Sequence, residues 1–461
     1  MESADNAPPG IRTNRLPAAA YACNFADAHA PLSPNQALLE SDRCLFCYDA
    51  PCVRACPTGI DIPSFIRKIA TGNLKGSATD ILSENAFGAV CARVCPTEVL
   101  CEGSCVRTVD ENRPVAIGAL QRYATDWLFE RGVQVFTRAP ASGQRVAVVG
   151  SGPAGLACAH RLATLGHDVT VFEARAKPGG LNEYGVAAYK VAGGIAQREI
   201  SYLLAVGGIE VRLGQRLGQE VKLAALRREY RAVFLGIGLG AVNALALEAQ
   251  SARGVYDAID YIAELRQSEA LGELPVGRRV VVIGGGMTAI DIATQIKRLG
   301  AEDVTIVYRR GPEHMGASAK EIDWAQTNGV RIKHWARPAR LGVKADCLAT
   351  VEFRYTGPGE GGRLVDTGEG FSLPADMLFK AIGQLLLHDS LDAHHELLDT
   401  TAGRIVVDAE GRTSLPGVWA GGDCVAGGRD LTVEAVADGK LAAGSIDRAL
   451  REAMPAGAQR G

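Results

Sequence analysis

The stretch Arg145-Val-Ala-Val-Val-Gly150-Ser-Gly152-Pro153-Ala154-Gly155 predicts a buried strand, a glycine-rich turn and the start of a helix. The glycines allow a tight turn and bring the backbone close to a pyrophosphate, whose charge the helix N-terminus stabilises. Glu173 ends the next predicted strand, where a carboxylate accepts hydrogen bonds from ribose hydroxyls. This pattern predicts a Rossmann-like domain that binds a dinucleotide. The alternative is a glycine-rich turn without a ligand.

The same pattern recurs about 130 residues later. Arg279-Val-Val-Val-Ile283 predicts a second strand, and the turn and helix after it contain Gly284, Gly286, Thr288 and, in the place of the third glycine, Ala289. The stretch Val418-Trp-Ala-Gly-Gly422-Asp423 predicts a further strand that returns to the first sheet. The chain is therefore expected to be an α/β protein with two Rossmann-like nucleotide-binding domains, one inserted in the other.

Composition limits the function classes. The chain has 461 residues, 47% of them hydrophobic, which is enough for about three domains with real cores. Its net charge of -3, without a basic tract, argues against a nucleic-acid partner. No apolar run is long enough to span a membrane, and residues 1–34 lack the basic and apolar regions of a secretory signal. We therefore expect a cytosolic protein with no nucleic-acid or membrane partner.

Cysteines are concentrated near the N-terminus, where eight of the twelve lie between Cys44 and Cys105. Soft thiolates at separations of two to five residues, twice followed by proline, are typical of iron–sulfur ligands. Structural zinc and ordinary buried thiols are the alternatives. Helical spacing at 62–69, 78–82 and 117–129 predicts an all-helical domain here, preceded by a loosely ordered arm over residues 1 to about 35.

These cysteine runs, Arg43 to Thr58 and Cys91 to Cys105, resemble the N-terminal module of dihydropyrimidine dehydrogenase, which the glutamate synthase small subunit shares. The resemblance implies two 4Fe-4S clusters. It assigns to the first cluster Cys44, Cys47, Cys52 and Cys105, and to the second Cys56, Cys95, Cys101 and Gln121. Cys91 would then pack near a cluster without binding it. Without the resemblance, Gln121 would be expected to face solvent on a helix.

Two further motifs resemble flavoproteins of the disulfide-reductase type and imply that the first dinucleotide is FAD. One is Lys177-Pro-Gly-Gly180-Leu181, and the other is Gly422-Asp423 followed by a helix that starts near Thr432. Asp423 would accept hydrogen bonds from ribityl hydroxyls, and the helix N-terminus would stabilise reduced flavin. The alternative for Asp423 is a turn cap. Lys190 lies in a segment that borders the flavin in related chains, with an exposed lysine as the alternative.

The second site leaves the coenzyme open between NAD and NADP. Tyr308 stands where the first unit has its ribose-binding acid, and Arg309 and Arg310 follow, which by chemistry alone favours the 2′-phosphate of NADP. The stretch from Arg309 to Gly316, however, resembles the NAD-dependent bacterial reductase subunit. A third phosphate-binding arginine of NADPH-using relatives falls at Gly316 here. We therefore favour NAD over NADP; for the arginine pair the alternative is a solvated strand end.

Taken together, the resemblance implies a reductase subunit of a bacterial NAD-dependent dihydropyrimidine dehydrogenase. Electrons would pass from NAD(P)H through FAD and two 4Fe-4S clusters to a partner, an FMN-containing catalytic subunit in a hetero-oligomer, which reduces uracil or thymine. No side chain of this chain is expected to be catalytic. The expected domains are 1–140 (helical, two clusters), 141–277 with 377–461 (FAD), and 278–376 (NAD(P)).

Three alternatives compete with this function. The first is the small subunit of glutamate synthase or a related NAD(P)H-cluster subunit, against which Gln121 argues mildly. The second is a redox-sensing or scaffold protein that binds the cofactors without turnover. A disulfide reductase, the third, would need a cysteine pair near the flavin, whereas Cys158, Cys347 and Cys424 are isolated; Cys347 is expected in a loop.

Overall fold

The structure, a computed structural model, describes residues 10–387 and 398–452. The chain divides into two compact units. The larger unit comprises the described parts of 29–183, 193–240 and 385–461, and the smaller one those of 1–28, 184–192 and 241–384. The predicted domains also covered residues 1–9, 388–397 and 453–461, which lie outside the described residues.

The larger unit begins with an all-helical cysteine module. Its helices are Pro34–Ser41, Pro51–Arg54, Ile62–Ala70, Leu74–Glu84, Gly88–Val94, Val106–Glu111 and Ile117–Glu130. Helix Ile62–Ala70 shows why the segment folds this way: Asp61 caps its N-terminus, and Ile62, Phe65, Ile66 and Ile69 form one buried face. The helices predicted at 62–69, 78–82 and 117–129 are confirmed.

A five-stranded parallel sheet, here called the first sheet, forms the core of the rest of the larger unit. In spatial order its strands are Val418–Ala420, Ala232–Leu235, Arg145–Val149, Asp168–Glu173 and Ile209–Leu213. The central strands are continuous apolar runs because helices cover both faces of a parallel sheet. The predicted return of the strand at Val418 to this sheet is confirmed.

Helices surround the first sheet. They are Pro153–Thr164 (the first-turn helix), Leu181–Tyr184, Ile195–Leu204 (the crossing helix), Leu223–Glu229 and Thr432–Glu452 (the C-terminal helix). The first-turn and C-terminal helices pack at very short range. A Cβ at Gly439 would lie only 2.1 Å from the carbonyl oxygen of Ala154. This contact sets the position of the first turn of the first-turn helix.

The smaller unit contains the second sheet, also parallel and five-stranded. In spatial order its strands are Arg331–Lys333, Asp303–Val307, Arg279–Ile283, Met377–Lys380 and Val255–Asp257. Its helices are Ala18–Asn24, Ala258–Gln267, Met287–Arg298 and Ala319–Thr327. A separate antiparallel sheet consists of Ala336–Lys344, Cys347–Pro358 and Leu364–Pro374, of which the last two strands form a hairpin.

The predicted boundaries of the second nucleotide-binding domain, 278 and 376, differ from the observed unit. Strands Val255–Asp257 and Met377–Lys380 both pair into the second sheet, so the unit runs from Ala241 to Gln384. Strands of three or four residues carry too little periodicity to be recognised in a sequence. None of the described helices combines the length and apolarity needed to cross a membrane.

The N-terminal arm also departs from its predicted assignment to the helical domain. Residues 10–28 belong to the smaller unit, where strand Ile11–Arg12 pairs with Val276–Gly277. Ile11 and Tyr21 are buried in the core of that unit. The side chain of Asn24 donates to the carbonyl oxygen of Arg298 at 2.7 Å. A few widely spaced contacts hold the arm in place, and such contacts produce no periodic hydrophobic pattern in the sequence.

Replacement of Gly439 by alanine is expected to destabilise the larger unit and weaken its nucleotide site. The new methyl group would overlap the Ala154 carbonyl oxygen, and overpacking of this kind costs about 1–3 kcal/mol. Gly444 lies in the same helix, where a Cβ would meet nothing closer than 3.6 Å. Gly444→Ala should therefore stabilise the helix by about 0.5–1 kcal/mol. Urea unfolding of both variants tests the contrast, which equal midpoints would contradict.

Candidate functional site

The first glycine-rich turn is built by close approaches of bare backbone. Gly150 has φ +94°, and a Cβ there would lie 2.3 Å from the carbonyl oxygen of Gly236. A Cβ on Gly155 would lie 1.9 Å from the Gly150 carbonyl oxygen. Gly180, at φ +54°, faces Gly152 so closely that a Cβ on Gly180 would lie 2.6 Å from the Gly152 Cα. The result is a side-chain-free cradle of the kind that a pyrophosphate requires.

Two helices start at this cradle, and the first of them was predicted from the sequence. Pro153 is the first residue of the first-turn helix, and Leu181 is the first residue of helix Leu181–Tyr184. Ala154 is buried in the first turn. A proline at this position lacks only an N–H that the helix does not use, so the remaining N–H groups are available to an anion.

Glu173 is buried at the end of its strand and holds the cradle together. Its Oε2 accepts hydrogen bonds from the Ser151 amide at 2.9 Å and from the Ser151 hydroxyl. Its Oε1 accepts from the Arg175 amide at 2.7 Å. The carboxylate therefore orders the turn as well as offering oxygen lone pairs to a ribose. Ser151 occupies a position of the motif that any residue type can fill, so the sequence did not indicate this role.

The second predicted flavin motif lies in the same unit. Gly422 has φ +77°, and its amide donates to Asp438 at 2.8 Å. Within the described residues, the Asp423 carboxylate accepts no hydrogen bond, so the turn cap considered as its alternative is not observed. Burial, followed by the nearby Asp430, raises the pKa of Asp423 to about 6, and Arg404 opposes the shift. Thr432 begins the C-terminal helix and donates to Asn182 at 2.9 Å.

The second glycine-rich turn opens helix Met287–Arg298 in the smaller unit. A Cβ at Gly284 would lie 2.2 Å from the Ala381 carbonyl oxygen, whereas one at Gly286 would meet nothing within 4 Å. Thr288 is half-buried in the first helical turn, and Ala289 is fully buried. The backbone of Ala381 therefore leaves no room for a side chain at Gly284, whereas the space beside Gly286 is open, which fits a bound phosphate.

Tyr308 and the two arginines follow the next strand. The Tyr308 ring packs on Gly285, and its hydroxyl donates to the His314 carbonyl oxygen at 2.6 Å. Arg309 is exposed and Arg310 half-buried. In the part of the chain that the structure describes, neither guanidinium forms a hydrogen bond or an ion pair. Both arginines remain available to an anionic ligand.

Gly316 lies over the second turn, where its Cβ, if it had one, would be 3.8 Å from the Gly286 Cα. The amide of the following residue, Ala317, donates to the Gly285 carbonyl oxygen at 3.1 Å. The loop after the arginines is thus folded onto the turn. A side chain at 316 would stand beside the nucleotide, which is where a third arginine would act.

Lys190 is not the exposed lysine considered above. It is 6% exposed, and its Nζ donates to Asp291 at 2.7 Å and to Glu321 at 2.6 Å, all within the smaller unit. Burial opposes the charged form, but Asp291, Tyr189 and Glu321 outweigh it, so the pKa of Lys190 is raised. In the structure this charge is paired with two carboxylates. The partners are more than 100 residues away in sequence, so no local pattern revealed them.

The first cysteine group surrounds one cavity in the larger unit. Its lining includes Cys44, Cys47, Cys52 and Cys105 together with apolar side chains such as Ile62. Burial, followed by the neighbouring Cys105 and Cys44, raises the pKa of Cys52 to about 12. Thiolates in such a place need a compensating cation. Four soft donors around one apolar cavity fit an iron–sulfur cluster.

The second cysteine group consists of Cys56, Cys91, Cys95 and Cys101. The pKa of Cys95 is raised first by its hydrogen bond with Cys91, then by burial and by Cys101 and Cys56. Cys91, predicted not to be a ligand, is therefore a direct neighbour of Cys95, which is predicted to be one. Among the described residues, no three histidine, cysteine, aspartate or glutamate side chains converge closely enough to hold a single metal ion.

Gln121 lies on helix Ile117–Glu130 and is only 8% exposed, so it does not face solvent. Its Nε2 donates to the Gly88 carbonyl oxygen at 2.7 Å, on helix Gly88–Val94, here called the cysteine helix. This hydrogen bond fixes the amide nitrogen and therefore also the orientation of the Gln121 side chain. Among the described residues, the Gln121 amide forms no hydrogen bond with a cysteine.

A cluster of buried apolar side chains joins the cysteine module to the flavin-motif helices. Cys91 belongs to it and Cys95 packs against it. Leu156 comes from the first-turn helix, and Val433 and Val436 come from the start of the C-terminal helix. Contacts of this kind exclude water and fix distances. The second cysteine group therefore lies next to the elements predicted to hold flavin.

The remaining cysteines offer no redox pair. None of the twelve cysteines, all of which lie in the described part of the chain, forms a disulfide. Cys158 and Cys424 are fully buried, as predicted. Cys347 is also buried and starts a strand, so the expected loop position was wrong. These three side chains fill cores and offer no dithiol to a disulfide substrate.

Two family models match the chain. Residues 21–133 match dihydropyrimidine dehydrogenase domain II, 4Fe-4S cluster. Residues 144–439 match pyridine nucleotide-disulphide oxidoreductase. The expected order, a 4Fe-4S domain followed by a flavin and pyridine-nucleotide domain, is confirmed.

Relatives cover almost the whole chain. It is 35% identical over 432 residues to the NAD-dependent dihydropyrimidine dehydrogenase subunit PreT of Salmonella typhimurium, covering 93% of this chain and 98% of the relative. It is also 35% identical to the glutamate synthase [NADPH] small chain of Escherichia coli, covering 92% and 93%. Among solved structures, FprA from Mycobacterium tuberculosis is similar with a TM-score of 0.59 and 19% identity, covering 68% of this chain and 86% of FprA. That likeness shows the fold.

FAD binding is expected to weaken as the pH falls through about 6. Asp423 would accept ribityl hydroxyl hydrogen bonds at both oxygens only when it is ionised, and burial raises its pKa to about 6. The dissociation constant should rise by up to about tenfold per pH unit below that value.

Asp423→Asn should bind FAD more weakly and without this pH dependence. Asp346→Asn is the matched control, because Asp346 is an exposed turn residue of the smaller unit and loses the same charge. Fluorescence titration of deflavinated protein from pH 5 to 8 measures both. A wild-type profile that is flat over this range would contradict the prediction.

Proposed function

Since the chain belongs to the family of the PreT subunit and the glutamate synthase small chain, we propose that it is the reductase subunit of an NAD-dependent dihydropyrimidine dehydrogenase. When bound, FAD would take a hydride from the nicotinamide, and the clusters would carry the electrons away singly. The chain's own residues would bind and orient these groups. None of them would act as acid, base or nucleophile.

One observation carries the electron-transfer role: the apolar cluster that joins Cys91 and Cys95 to Leu156, Val433 and Val436. It brings the second cysteine group against the starts of the two helices whose N-termini would face FAD. No cysteine of the first group belongs to this apolar cluster; Cys44, Cys52 and Cys105 pack instead, together with Cys56 and Cys101 of the second group, against the core of the helical module. This sequence of sites supports a path from flavin to the second cluster, then to the first, and from there to a partner.

For the ligands we adopt the two sets that the resemblance implied. Cys44, Cys47, Cys52 and Cys105 line one cavity, which supports the first set. Cys56, Cys95 and Cys101 interact with one another, which supports three members of the second. Gln121 would be the fourth. Its support is its burial and its fixed amide nitrogen, which leaves the carbonyl oxygen as the ligating atom.

The coenzyme preference rests on the loop over the second turn. Gly316 stands beside Gly286, and a glycine there provides no charge for a 2′-phosphate. PreT relatives carry NAD in their name, while the glutamate synthase small chain carries NADPH. Arg309 and Arg310 would serve the pyrophosphate or the adenosine ribose. We therefore favour NAD(H).

The partner would be an FMN-containing catalytic subunit that reduces uracil or thymine. The relatives' description as a subunit supports the need for such a partner. A second candidate, the glutamate synthase small chain, is favoured by equal identity, 35%, over nearly the same length. Co-purification distinguishes the two: a pyrimidine-reducing subunit supports the first, and a large amidotransferase subunit supports the second.

Iron content tests the ligand assignment. Anaerobically prepared wild-type protein should contain about eight iron atoms, and Cys47→Ser should lose about half of them because one 4Fe-4S site lacks a thiolate. Cys23→Ser, at an exposed cysteine of the smaller unit, is the matched control and should keep all of them. Zinc in place of iron, or undiminished iron in Cys47→Ser, would contradict the assignment.

Two further variants test whether Gln121 or Cys91 is the fourth ligand of the second set. Cys91→Ser should keep the wild-type iron content, since the thiol only packs beside Cys95. Gln121→Leu should change the electron paramagnetic resonance spectrum of one reduced cluster. The opposite pattern, with iron lost from Cys91→Ser alone, would make Cys91 the ligand.

Anaerobic stopped-flow reduction tests the coenzyme. NADH should bleach the flavin about tenfold faster than NADPH at equal concentration, a difference of about 1.4 kcal/mol. Gly316→Arg should reduce the rate difference between the two coenzymes, because the added guanidinium would bind the 2′-phosphate and make flavin reduction by NADPH faster. Arg363→Gln is the control, because it also changes the number of arginines in this unit, but at the exposed hairpin. Equal rates would remove the NAD preference, and no bleaching by either would favour a sensing or scaffold protein.

A further inference from the structure

Glu199 is a fully buried carboxylate on the crossing helix. Its Oε1 accepts a hydrogen bond from the Ala89 amide at 2.7 Å, and its Oε2 accepts from the Val90 amide at 3.1 Å. Those two amides belong to the first turn of the cysteine helix, where N–H groups have no partner within the helix. A residue of the crossing helix thus caps the helix that carries Cys91 and ends just before Cys95.

The same turn of the cysteine helix is held from a second side. The Gly88 carbonyl oxygen accepts from Gln121 at 2.7 Å, and the Ala89 carbonyl oxygen accepts from Arg93 at 2.9 Å. Arg93 in turn forms a two-oxygen ion pair with Asp126 at 2.7 and 2.8 Å. Glu199 and Gln121 therefore act on adjacent residues of one turn, so a displacement at Glu199 would reach the proposed cluster ligand.

A buried carboxylate is costly unless it is well bonded. Burial raises the pKa of Glu199 to about 8, while the Ala89 and Val90 amides and Arg93 favour the charged form. A leucine would fill the same volume without that cost. The two directed hydrogen bonds of Glu199 set the distance and the rotation of the cysteine helix. Glu199 therefore fixes the position of that helix as well as filling space.

A second ionic contact crosses between the same parts of the larger unit. Lys440, on the C-terminal helix, donates to the Thr58 carbonyl oxygen at 2.6 Å and to the Glu84 carboxylate at 2.6 Å. Thr58 lies two residues after Cys56. The Lys440 contact is more exposed than that of Glu199, so it contributes less to rigidity.

We propose that Glu199 is a positioning residue for electron transfer, which holds the cysteine helix and the second cysteine group at a fixed distance from the flavin-binding helices. The inference rests on the proposed function. With the cofactors bound, reduced flavin would give one electron to each of the two clusters, and the proton that came with the hydride would be released to solvent, so that electrons and protons balance. The rate of that step falls steeply with distance, and the Glu199 contact keeps the distance short.

The test compares Glu199→Ala and Glu199→Gln with the wild-type holoprotein. Stopped-flow spectroscopy with one equivalent of NADH separates flavin reduction from the later reoxidation of flavin by the clusters. Glu199→Ala should reduce its flavin at the wild-type rate but reoxidise it at least tenfold more slowly. Glu199→Gln keeps one acceptor oxygen, so its reoxidation should be slowed less. Arg198→Gln, at the exposed neighbour on the same helix, should match the wild type.

Flavin and iron content decide how a slow rate is interpreted. Loss of about half the iron with full FAD content would support the proposal, because the second cysteine group would then depend on Glu199. Wild-type reoxidation by Glu199→Ala with full iron content would overturn it. If Glu199→Ala does not fold, wild-type reoxidation rates in both Glu199→Gln and Lys440→Met would overturn it, and slower rates in Glu199→Gln would support it. Failure of wild-type flavin to react with either nicotinamide would overturn the proposed function and this inference together.

Discussion

The contact between the cysteine helix and the flavin-motif helices is the constraint on which the larger unit depends. Cys91 and Cys95 meet Leu156, Val433 and Val436 in a dry apolar cluster. Apolar packing of this kind excludes water and has little room for rearrangement. Electron transfer between two cofactors requires a short and fixed separation. The packing therefore serves the proposed function directly, and does so through side chains that perform no chemistry.

Both nucleotide sites depend on the absence of side chains. In the first, Gly150, Gly155 and Gly180 lie where a Cβ would overlap backbone atoms, and in the second Gly284 does. The two sites differ in how their charges are arranged. Glu173 is bonded to its own turn, while Arg309 and Arg310 form no ion pair with any described residue. The first turn is therefore ordered by the protein itself, and the second has two arginines beside it that are not paired with a described carboxylate.

Buried ionisable side chains in both units join elements that are distant in sequence. In the smaller unit, Lys190 pairs with Asp291 and Glu321. In the larger unit, Glu199 caps the cysteine helix. Removal of one partner of Lys190 would leave a buried charge without compensation, and removal of Glu199 would leave two buried amides without an acceptor. Each contact therefore specifies one arrangement of the elements that it joins.

The sequence by itself determined the local chemistry: the glycine turns, the strands before them, the cysteine runs and the helices at 62–69 and 117–129. These depend on residues a few positions apart, and periodicity and spacing reveal them. Only the tertiary structure decided the limits of the smaller unit, the course of residues 10–28, and the partners of Lys190 and Glu199. Those features depend on pairs of residues about 100 or more positions apart and on strands of two to four residues. No local pattern records which distant backbone amide or carboxylate will satisfy a buried charge.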